Sequence, residues 1–475
     1  MAESADQDGP ATSIAVIVLA AGAGTRMKSH TPKPLHKVAG LPMLEHVLRA
    51  VEQLNPPQVV VVASPELDVA IRTADLGDRH TVVVQHPPRG TGDAVVIGLQ
   101  AVCAAESALI VYADHPLVAS SDLQALITKF QTELALVGVM TCVVDDAAGY
   151  GRIERDESMT PVAIVEQVAD DPKQRDGPIE INSGIMVLGA AWASQALLEL
   201  PPNPVKNELF LTDLVAIAAK AEDHPCPVVT VSGPASTLIG VNDRAELAVA
   251  DDAMRHRIRT AHMRAGVTVV GPETVFIDAD VSIGADTTIL PNSMIHSGVS
   301  IGERCIIGPR TSLERANVGD DSQVEASVVR DCQIGRFCHV GPFSHLRDGT
   351  ILADHVHIGN YVEAKNATFA TGVRAGHVSY LGDASIGEST NIGAGTVTCN
   401  FDGVDKHHTV IGANAFIGSD SMLIAPLMIG DRASTGAGSV VTRDVEPGVT
   451  VVGMPARPIR RRGVKTASQN TGEGV

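Results

Sequence analysis

Two short stretches of this chain carry residue types suited to chemistry. The first, "LAAGAGTRM" (Leu19 to Met27), follows directly on the apolar run Ile14 to Val18. Small residues after a strand let backbone amides approach phosphate oxygens, and Arg26 and Lys33 (in "TPKPLHK") add positive charge close by. Two well-known phosphate loops are excluded: a dinucleotide fingerprint needs a third small residue where Met27 stands, and a Walker loop needs Gly-Lys-Ser/Thr, which occurs nowhere. The second stretch, "VRAGHVSYLGD", sets one histidine, His377, in a small and aliphatic run. An imidazole, with an ordinary pKa of about 6.5, accepts a proton near neutral pH. A lone surface histidine would be the plainer reading. Arg347 in "SHLRDG", Lys365 in "VEAKN", Tyr380, and Asn391 in "STNIGAG" make a coherent set with it instead.

The elements that must position these residues differ between the two halves. Up to about residue 240, β-rich runs ("IAVIVLA", "QVVVVAS", "HTVVVQH", "SALIVYAD", "ALVGVMTCVV", "GIMVLGA") alternate with helical stretches. Near-continuous Val/Ile strands between helices predict a Rossmann-like α/β domain with a mostly parallel sheet, whose ligands bind past the carboxyl ends of the strands. Both "LAAGAGTRM" and "YADHPL" (Tyr112 to Leu117) lie at such ends. From Asn242 to about Arg264 no proline or glycine interrupts a run of good helix formers, which predicts one long linker helix.

Beyond it the apolar period becomes six: Ile277, Ile283, Ile289, Ile295, Ile301, Ile307 and Leu313, then Ile334 to Ile358, Ile386 and Ile392, and Ile411 to Ile429. A hexapeptide parallel β-helix, expected to be left-handed, has this repeat, one aliphatic side chain per flat face pointing inward. The 3% of aromatic residues suits so narrow a core. Interruptions at "RTSLERANVGD", "EAKNATFATG" and "CNFDGVDKHH" are expected to be loops leaving the prism. The predicted organisation is a disordered leader 1–12, an α/β domain 13–241, the linker helix 242–265, the β-helix 266–459 and a disordered tail 460–475.

Composition removes several function classes. With 475 residues, 44% hydrophobic and 19% charged, two globular domains are expected, and no apolar run approaches the roughly 20 residues of a membrane span. The acidic N-terminus lacks the pattern of a secretory signal. Seven cysteines without a CxxC pair point to a reducing cytoplasm rather than to disulfides or zinc. A formal charge of −19 disfavours nucleic acid as a partner. The pairs His355/His357 and His407/His408 lack a carboxylate or cysteine companion and read as solvated.

"LAAGAGTRM…TPKPL" resembles the start of the sugar-nucleotide pyrophosphorylases, and "VVVQHPPRGTGDA", "YADHPL", "GYGRI", "AIVE", "EINSGI" and "GVNDR" continue the resemblance in order. Joined to a hexapeptide domain containing "RAGHVSYLG", residues 13 to 459 resemble the bifunctional family of N-acetylglucosamine-1-phosphate uridyltransferases and glucosamine-1-phosphate acetyltransferases. The resemblance implies a cytoplasmic homotrimer that makes UDP-N-acetylglucosamine for peptidoglycan and the cell envelope, using acetyl-CoA, UTP and Mg2+. It places Leu19, Ala20, Ala21, Gly22, Gly90, Thr91, Tyr112 and Ala113 around the nucleotide, and Gln85 on the edge of the uracil, for which its amide offers both a donor and an acceptor. Gly151, Glu166 and Asn182 fall near the sugar and ribose, Arg26 and Lys33 stabilise the transferring phosphate, and Asp114 with Asn242 holds Mg2+.

In the second half the resemblance makes His377 the general base for acetyl transfer, with Arg347 and Lys365 on the sugar phosphate and Tyr380 and Asn391 on its hydroxyls. Ala394, Asn400, Phe401, Ser419 and Ala437 fall on the acetyl-CoA contacts, with Lys406 nearby. Three positions depart from the family: Ala113 replaces a glycine and should crowd the nucleotide slightly, Phe401 stands where Asn-Tyr is common, and the C-terminal arginine contact is divided between Arg457 and Arg460 to Arg462. Two other readings are a nucleotidyltransferase whose β-helix is only a scaffold, against which His377 with Arg347, Lys365, Tyr380 and Asn391 argues, and a non-catalytic nucleotide-sugar sensor, against which the presence of Arg26, Lys33 and Asp114 argues.

Overall fold

The computed structural model describes residues 13–73, 80–103, 105–147, 149–166, 178–203, 207–221 and 223–459. The expected leader, the tail and Arg460 to Arg462 lie outside the described residues. The chain forms two compact units, one ending at Met254 and the other beginning at Arg255. Among the described residues no helix is long and apolar enough to cross a membrane.

The first unit is built on nine strands: β1 (Ile14–Ala20), β2 (Val59–Ala63), β3 (Thr81–Val84), β4 (Ser107–Tyr112), β5 (Val137–Val144), β6 (Arg152–Arg155), β7 (Pro161–Val165), β8 (Ile179–Gly189) and β9 (Val228–Ser232). They hydrogen-bond in the order β9-β5-β8-β4-β1-β2-β3, with β6 pairing β8 and β7 off that path. Strands β1, β2, β3 and β4 are mutually parallel where they pair, while β8 runs against both β4 and β5.

The apolar run of β1 is explained by burial on both faces. Val16, Val18 and Ala20 enter one core with Leu44, Val47 and Leu123, while Ile17 and Leu19 enter the other with Val95 and Leu197. Every residue of the strand therefore has an apolar neighbour to reach. Because the chain leaves β1 toward β2 on one side and returns to β4 on the other, the order reverses beside β1, and a crevice opens at the strand ends there.

The long helix runs Arg244–Arg264. It starts two residues later than the sequence suggested because Asp243 caps it, its Oδ1 accepting from the amides of Ala245 and Glu246 at 2.8 and 2.9 Å. Asn242 thus stands ahead of the helix, its own amide donating to Glu246. The division between the units falls within this helix.

The second unit is a left-handed parallel β-helix. Ile277 pairs with Ile295, Ile283 with Ile301 and Ile289 with Ile307, each three hexapeptides on, which is one coil. The six-period residues form a single continuous core, fully buried except at the first coil, where Ile283 is only partly covered. Corner hydroxyls such as Thr287 Oγ1 and Ser344 Oγ donate to carbonyls of Gly302 and Gly359, which satisfies those buried corners. At the far end Arg457–Pro458 turns back antiparallel on Thr450–Val452.

Two of the three expected loops do not leave the prism. Ser312–Val318 and His357–Phe369 are continuous strands, bent at Arg315 and Asn366, whose left-handed backbones (φ 44° and 47°) shorten a corner without ejecting chain. Only the third departs: Ile386 pairs with Ile411 across an insertion whose base is the bridge between Phe401 and Lys406. Shortening the fully buried Ile358 to valine should cost about 1 kcal/mol, read as a lower urea midpoint by far-ultraviolet circular dichroism.

Candidate functional site

Every residue assigned by resemblance to the uridylyl site lines one cleft of about 730 Å3 in the first unit. The opening loop supplies one wall. It ends in a single 3-10 turn, Thr25–Met27, between Gly24 and Lys28, both in the left-handed region (φ 59° and 48°). A side chain on Gly24 would press on Lys33 Cβ at 2.7 Å, so glycine here lets the loop lie on the lysine.

The charged centre of the cleft joins residues far apart in sequence. Lys33 Nζ donates to Asp114 Oδ2 and, at 3.0 Å, to Asn242 Oδ1, and Arg26 Nη2 donates to the same Asn242 oxygen at 2.9 Å. Burial alone would raise the Asp114 carboxyl. The hydrogen bond and charge of His115, followed by those of Lys33, outweigh it and hold Asp114 well below the usual carboxylate range, so it is an anion throughout the neutral range. Burial, aided by the charges of Asp114 and Glu166, pushes the Tyr112 phenol far up, so it stays a neutral wall of the cleft.

Gln85 departs from its expected posture. It is 4% exposed, and its Nε2 donates to the Gly90 carbonyl at 3.1 Å and to Asp93 Oδ2 at 2.8 Å. Both amide hydrogens are thereby engaged, leaving Oε1 as its acceptor. Gly90 (φ 101°) has no room for a side chain, since a Cβ would stand 2.5 Å from the Leu209 carbonyl oxygen. Thr91 Oγ1 accepts from the Leu211 amide, Glu166 accepts from Thr212 Oγ1 at 2.8 Å, and Asn182 takes the Gly151 carbonyl through its amide. Ala113 lines the cleft and is 1% exposed, packed with the core beneath it. Thr212, Tyr150 and His115 also line the cleft. Tyr150 and His115 lie inside quoted motifs, whereas nothing in the sequence singles out Thr212.

The residues assigned to acetyl transfer divide between two faces of the prism. On one face Arg347 and Lys365 are cross-strand partners, and Glu363, two residues before Lys365, pairs with Tyr380. The two cations have acidic partners. Arg347 binds Glu363 (2.7 Å) and Asp348 (3.1 Å), and Lys365 reaches Asp348 at 3.5 Å. On the neighbouring face His377 pairs with Asn360, and Asn391 follows Arg374 and His357 in one column. His377 Nδ1 donates to Asn360 Oδ1 at 2.9 Å, which turns Nε2 outward as the nitrogen able to accept a proton.

Ala394, Ser419 and Ala437 stack beyond His377 on that same face, the Asp420 amide donating to the Ala394 carbonyl and the Gly438 amide to the Ser419 carbonyl. Asn400 is not with them. Its amide is bound to Asp383, which also accepts from Asn366, and Phe401 beside it is 59% exposed. Arg457 is the one C-terminal candidate among the described residues, exposed, with its guanidinium donating to the Ala456 carbonyl. The paired histidines are exposed or half-buried and also partnered: His355 stacks on Phe337, His357 lies against His339, His407 meets Asp402 at 2.7 Å and His408 meets Ser385. Among the described residues no cluster of three or more His, Cys, Asp or Glu side chains could hold a metal.

A nucleotidyltransferase sheet in the same chain as a hexapeptide prism defines the class of nucleotidyltransferases with a hexapeptide-repeat domain. Family models agree: one described as MobA-like NTP transferase domain matches residues 16–169, GMPPB C-terminal domain matches 271–371, and bacterial transferase hexapeptide (six repeats) matches 408–443. Similar relatives are the bifunctional protein GlmU of Mycolicibacterium gilvum (41% identical, 96% of this chain and 93% of that one), of Mycobacterium bovis (42%, 92% and 89%) and of Corynebacterium jeikeium (41%, 92% and 90%). The chain belongs to the GlmU family of bifunctional uridyltransferase–acetyltransferases, enzymes of UDP-N-acetylglucosamine synthesis.

Proposed function

We propose that acetyl transfer takes place on the prism through His377 and uridylyl transfer in the α/β cleft through Arg26, Lys33 and Asp114, acetylation coming first. The observation that carries this reading is the meeting of Arg26, Lys33, Asp114 and Asn242 at one point of the cleft, with an ordered base, His377, on the other unit. In the cleft a phosphate oxygen of N-acetylglucosamine 1-phosphate attacks the α-phosphorus of UTP, the new P–O bond forms and pyrophosphate leaves. No protein nucleophile is needed. Positioning and positive charge do the work, and Arg26 and Lys33 carry that charge.

The donor set fits a divalent cation. Asp114 Oδ2 and Asn242 Oδ1 converge on one ammonium group, so a cation already stands where two hard oxygens meet. Mg2+ held there by Asp114 and Asn242 would neutralise charge on the phosphates. Gln85 Oε1 is placed to accept from the uracil N3–H. Gln85→Leu should raise the KM for UTP by roughly tenfold and that for the sugar phosphate little, since it removes one buried acceptor. Steady-state kinetics with each substrate varied checks this, and equal effects on both would remove Gln85 from the base pocket.

On the prism, His377 Nε2 takes a proton from the 2-amino group of glucosamine 1-phosphate as the amine nitrogen attacks the thioester of acetyl-CoA; the C–N bond forms, the C–S bond breaks, and the departing coenzyme A thiolate receives that proton and leaves as the thiol. Arg347, Lys365, Tyr380 and Asn391 hold the sugar phosphate, while Ala394, Asn400, Phe401, Ser419 and Ala437 receive the coenzyme. The division of these residues between two flat faces supports a homotrimer, in which faces of neighbouring copies meet. A cytoplasmic location follows from the need for UTP and acetyl-CoA, and the product serves envelope synthesis. The test is an assay of the full chain with glucosamine 1-phosphate, acetyl-CoA, UTP and Mg2+, leaving out one component at a time. Thiol release should need only the first two, and pyrophosphate release should need all four. Pyrophosphate release without acetyl-CoA would overturn the order of the steps.

A further inference from the structure

The strand end that carries Asp114 also carries a residue that the proposed chemistry leaves unused. His115 is 5% exposed, its Nδ1 lies 2.8 Å from Asp114 Oδ1, and its Nε2 lies 2.9 Å from the Ser183 carbonyl oxygen. These contacts reach two strands. Asp114 follows β4, while Ser183 lies in β8, where the register with β5 shifts between Asn182 and Met186.

The ring has little freedom to swing. A Cβ on Gly240 would stand 2.9 Å from His115 Cε1, and the Tyr112 ring lies on another side with its centroid 5.7 Å away. The other Asp114 oxygen is held differently, by the ammonium of Lys33 at the end of a flexible four-carbon stem. One oxygen is therefore fixed by a packed ring and the other by a group able to move.

We propose that His115 is a positioning residue of the uridylyl site: it locks Asp114 Oδ1, so that Oδ2, released by Lys33, is the oxygen presented to the divalent cation. The proposal rests on the reading of Asp114 as a ligand of that cation. Groups that hydrogen-bond a ligating carboxylate typically set metal affinity by about 10- to 100-fold. The same ring ties the carboxylate to the bulge that carries Asn182, so the cation and the sugar are located from one strut.

The test compares the full chain with His115→Ala, His115→Asn and Asp114→Asn, titrating Mn2+ by electron paramagnetic resonance and measuring the Mg2+ dependence of pyrophosphate release. His115→Ala should weaken Mn2+ binding by about tenfold or more and raise the Mg2+ needed for half-maximal rate, with a smaller change in kcat at saturating Mg2+. His115→Asn, whose amide N–H can stand in for Nδ1, should recover most of the affinity. Thiol release, which uses the other unit, serves as the check on folding. Unchanged Mn2+ affinity in His115→Ala beside a loss in Asp114→Asn would overturn the proposal alone. No loss in either would overturn the cation assignment and the proposal with it. A loss that asparagine does not restore would make His115 a packing residue.

Discussion

With His377 replaced by alanine, acetyl-CoA-dependent thiol release should fall by about 10²- to 10⁴-fold, the usual range for a general base. Pyrophosphate release from UTP and N-acetylglucosamine 1-phosphate should continue unchanged. The reasoning begins with the ring's orientation. Asn360 Oδ1 engages Nδ1, so the lone pair of Nε2 faces outward from an exposed position on a flat face. An amine attacking a thioester must lose a proton, and among the residues assigned to this site His377 alone carries an imidazole to take it. Arg347 and Lys365 are cations bound to Glu363 and Asp348. Folding should be little affected, because the imidazole contributes nothing to the aliphatic core. A thiol-trapping assay beside a pyrophosphate assay on one preparation makes the comparison, and retained acetyl transfer would remove the role.

Asp114→Ala should produce the reverse pattern, lowering uridylyl transfer by about 10²- to 10³-fold and sparing thiol release. Its carboxylate is the meeting point of Lys33 and His115, and Lys33 also links it to Asn242, which Arg26 holds. Alanine would leave Lys33 half-buried without its anion and remove one of two hard oxygens that fit Mg2+. The loss should therefore appear both in kcat and in the Mg2+ concentration required. An unchanged Mg2+ requirement would exclude this carboxylate as a ligand. Because the carboxyl lies well below the usual range, protonation should not imitate the variant near neutral pH.

The contrast between the two halves explains what the sequence reveals. The prism is legible because its inward residue recurs at a fixed interval, and the first run pairs as the period requires, Ile277 with Ile295 and Ile289 with Ile307. The same regularity misled at Arg315 and Asn366, where a shortened period looked like a loop. A single left-handed residue turns the corner instead, and no residue type announces it. In the sheet, β1 to β5 and the end of β8 are visible as apolar runs, but β6 (Arg152–Arg155) is short, interleaves charged residues and carries no such signal.

The site shows the same limit. Motif order brought Lys33, Asp114 and Asn242 together across long separations, yet their contacts depend on a packed cleft. Gln85's internal partners and the pairing of Arg347 with Glu363 arise from register and local packing. Glu363 stands diagonally beside Arg347, two residues before the cross-strand partner Lys365, a placement that only the folded register determines.

The opening loop of the cleft runs into one 3-10 turn rather than into a long helix. It therefore meets the triphosphate without the fixed dipole that a helix start would supply, and most of its attraction must come from the point charges of Arg26, exposed at the rim, and Lys33. Point charges at a wet rim are screened by dissolved ions, over about 10 Å at 0.1 M salt, far more than oriented amides in close contact are. On the proposed reading of the cleft, UTP capture should therefore weaken as ionic strength rises, so that the salt content of its surroundings sets how readily the cleft fills.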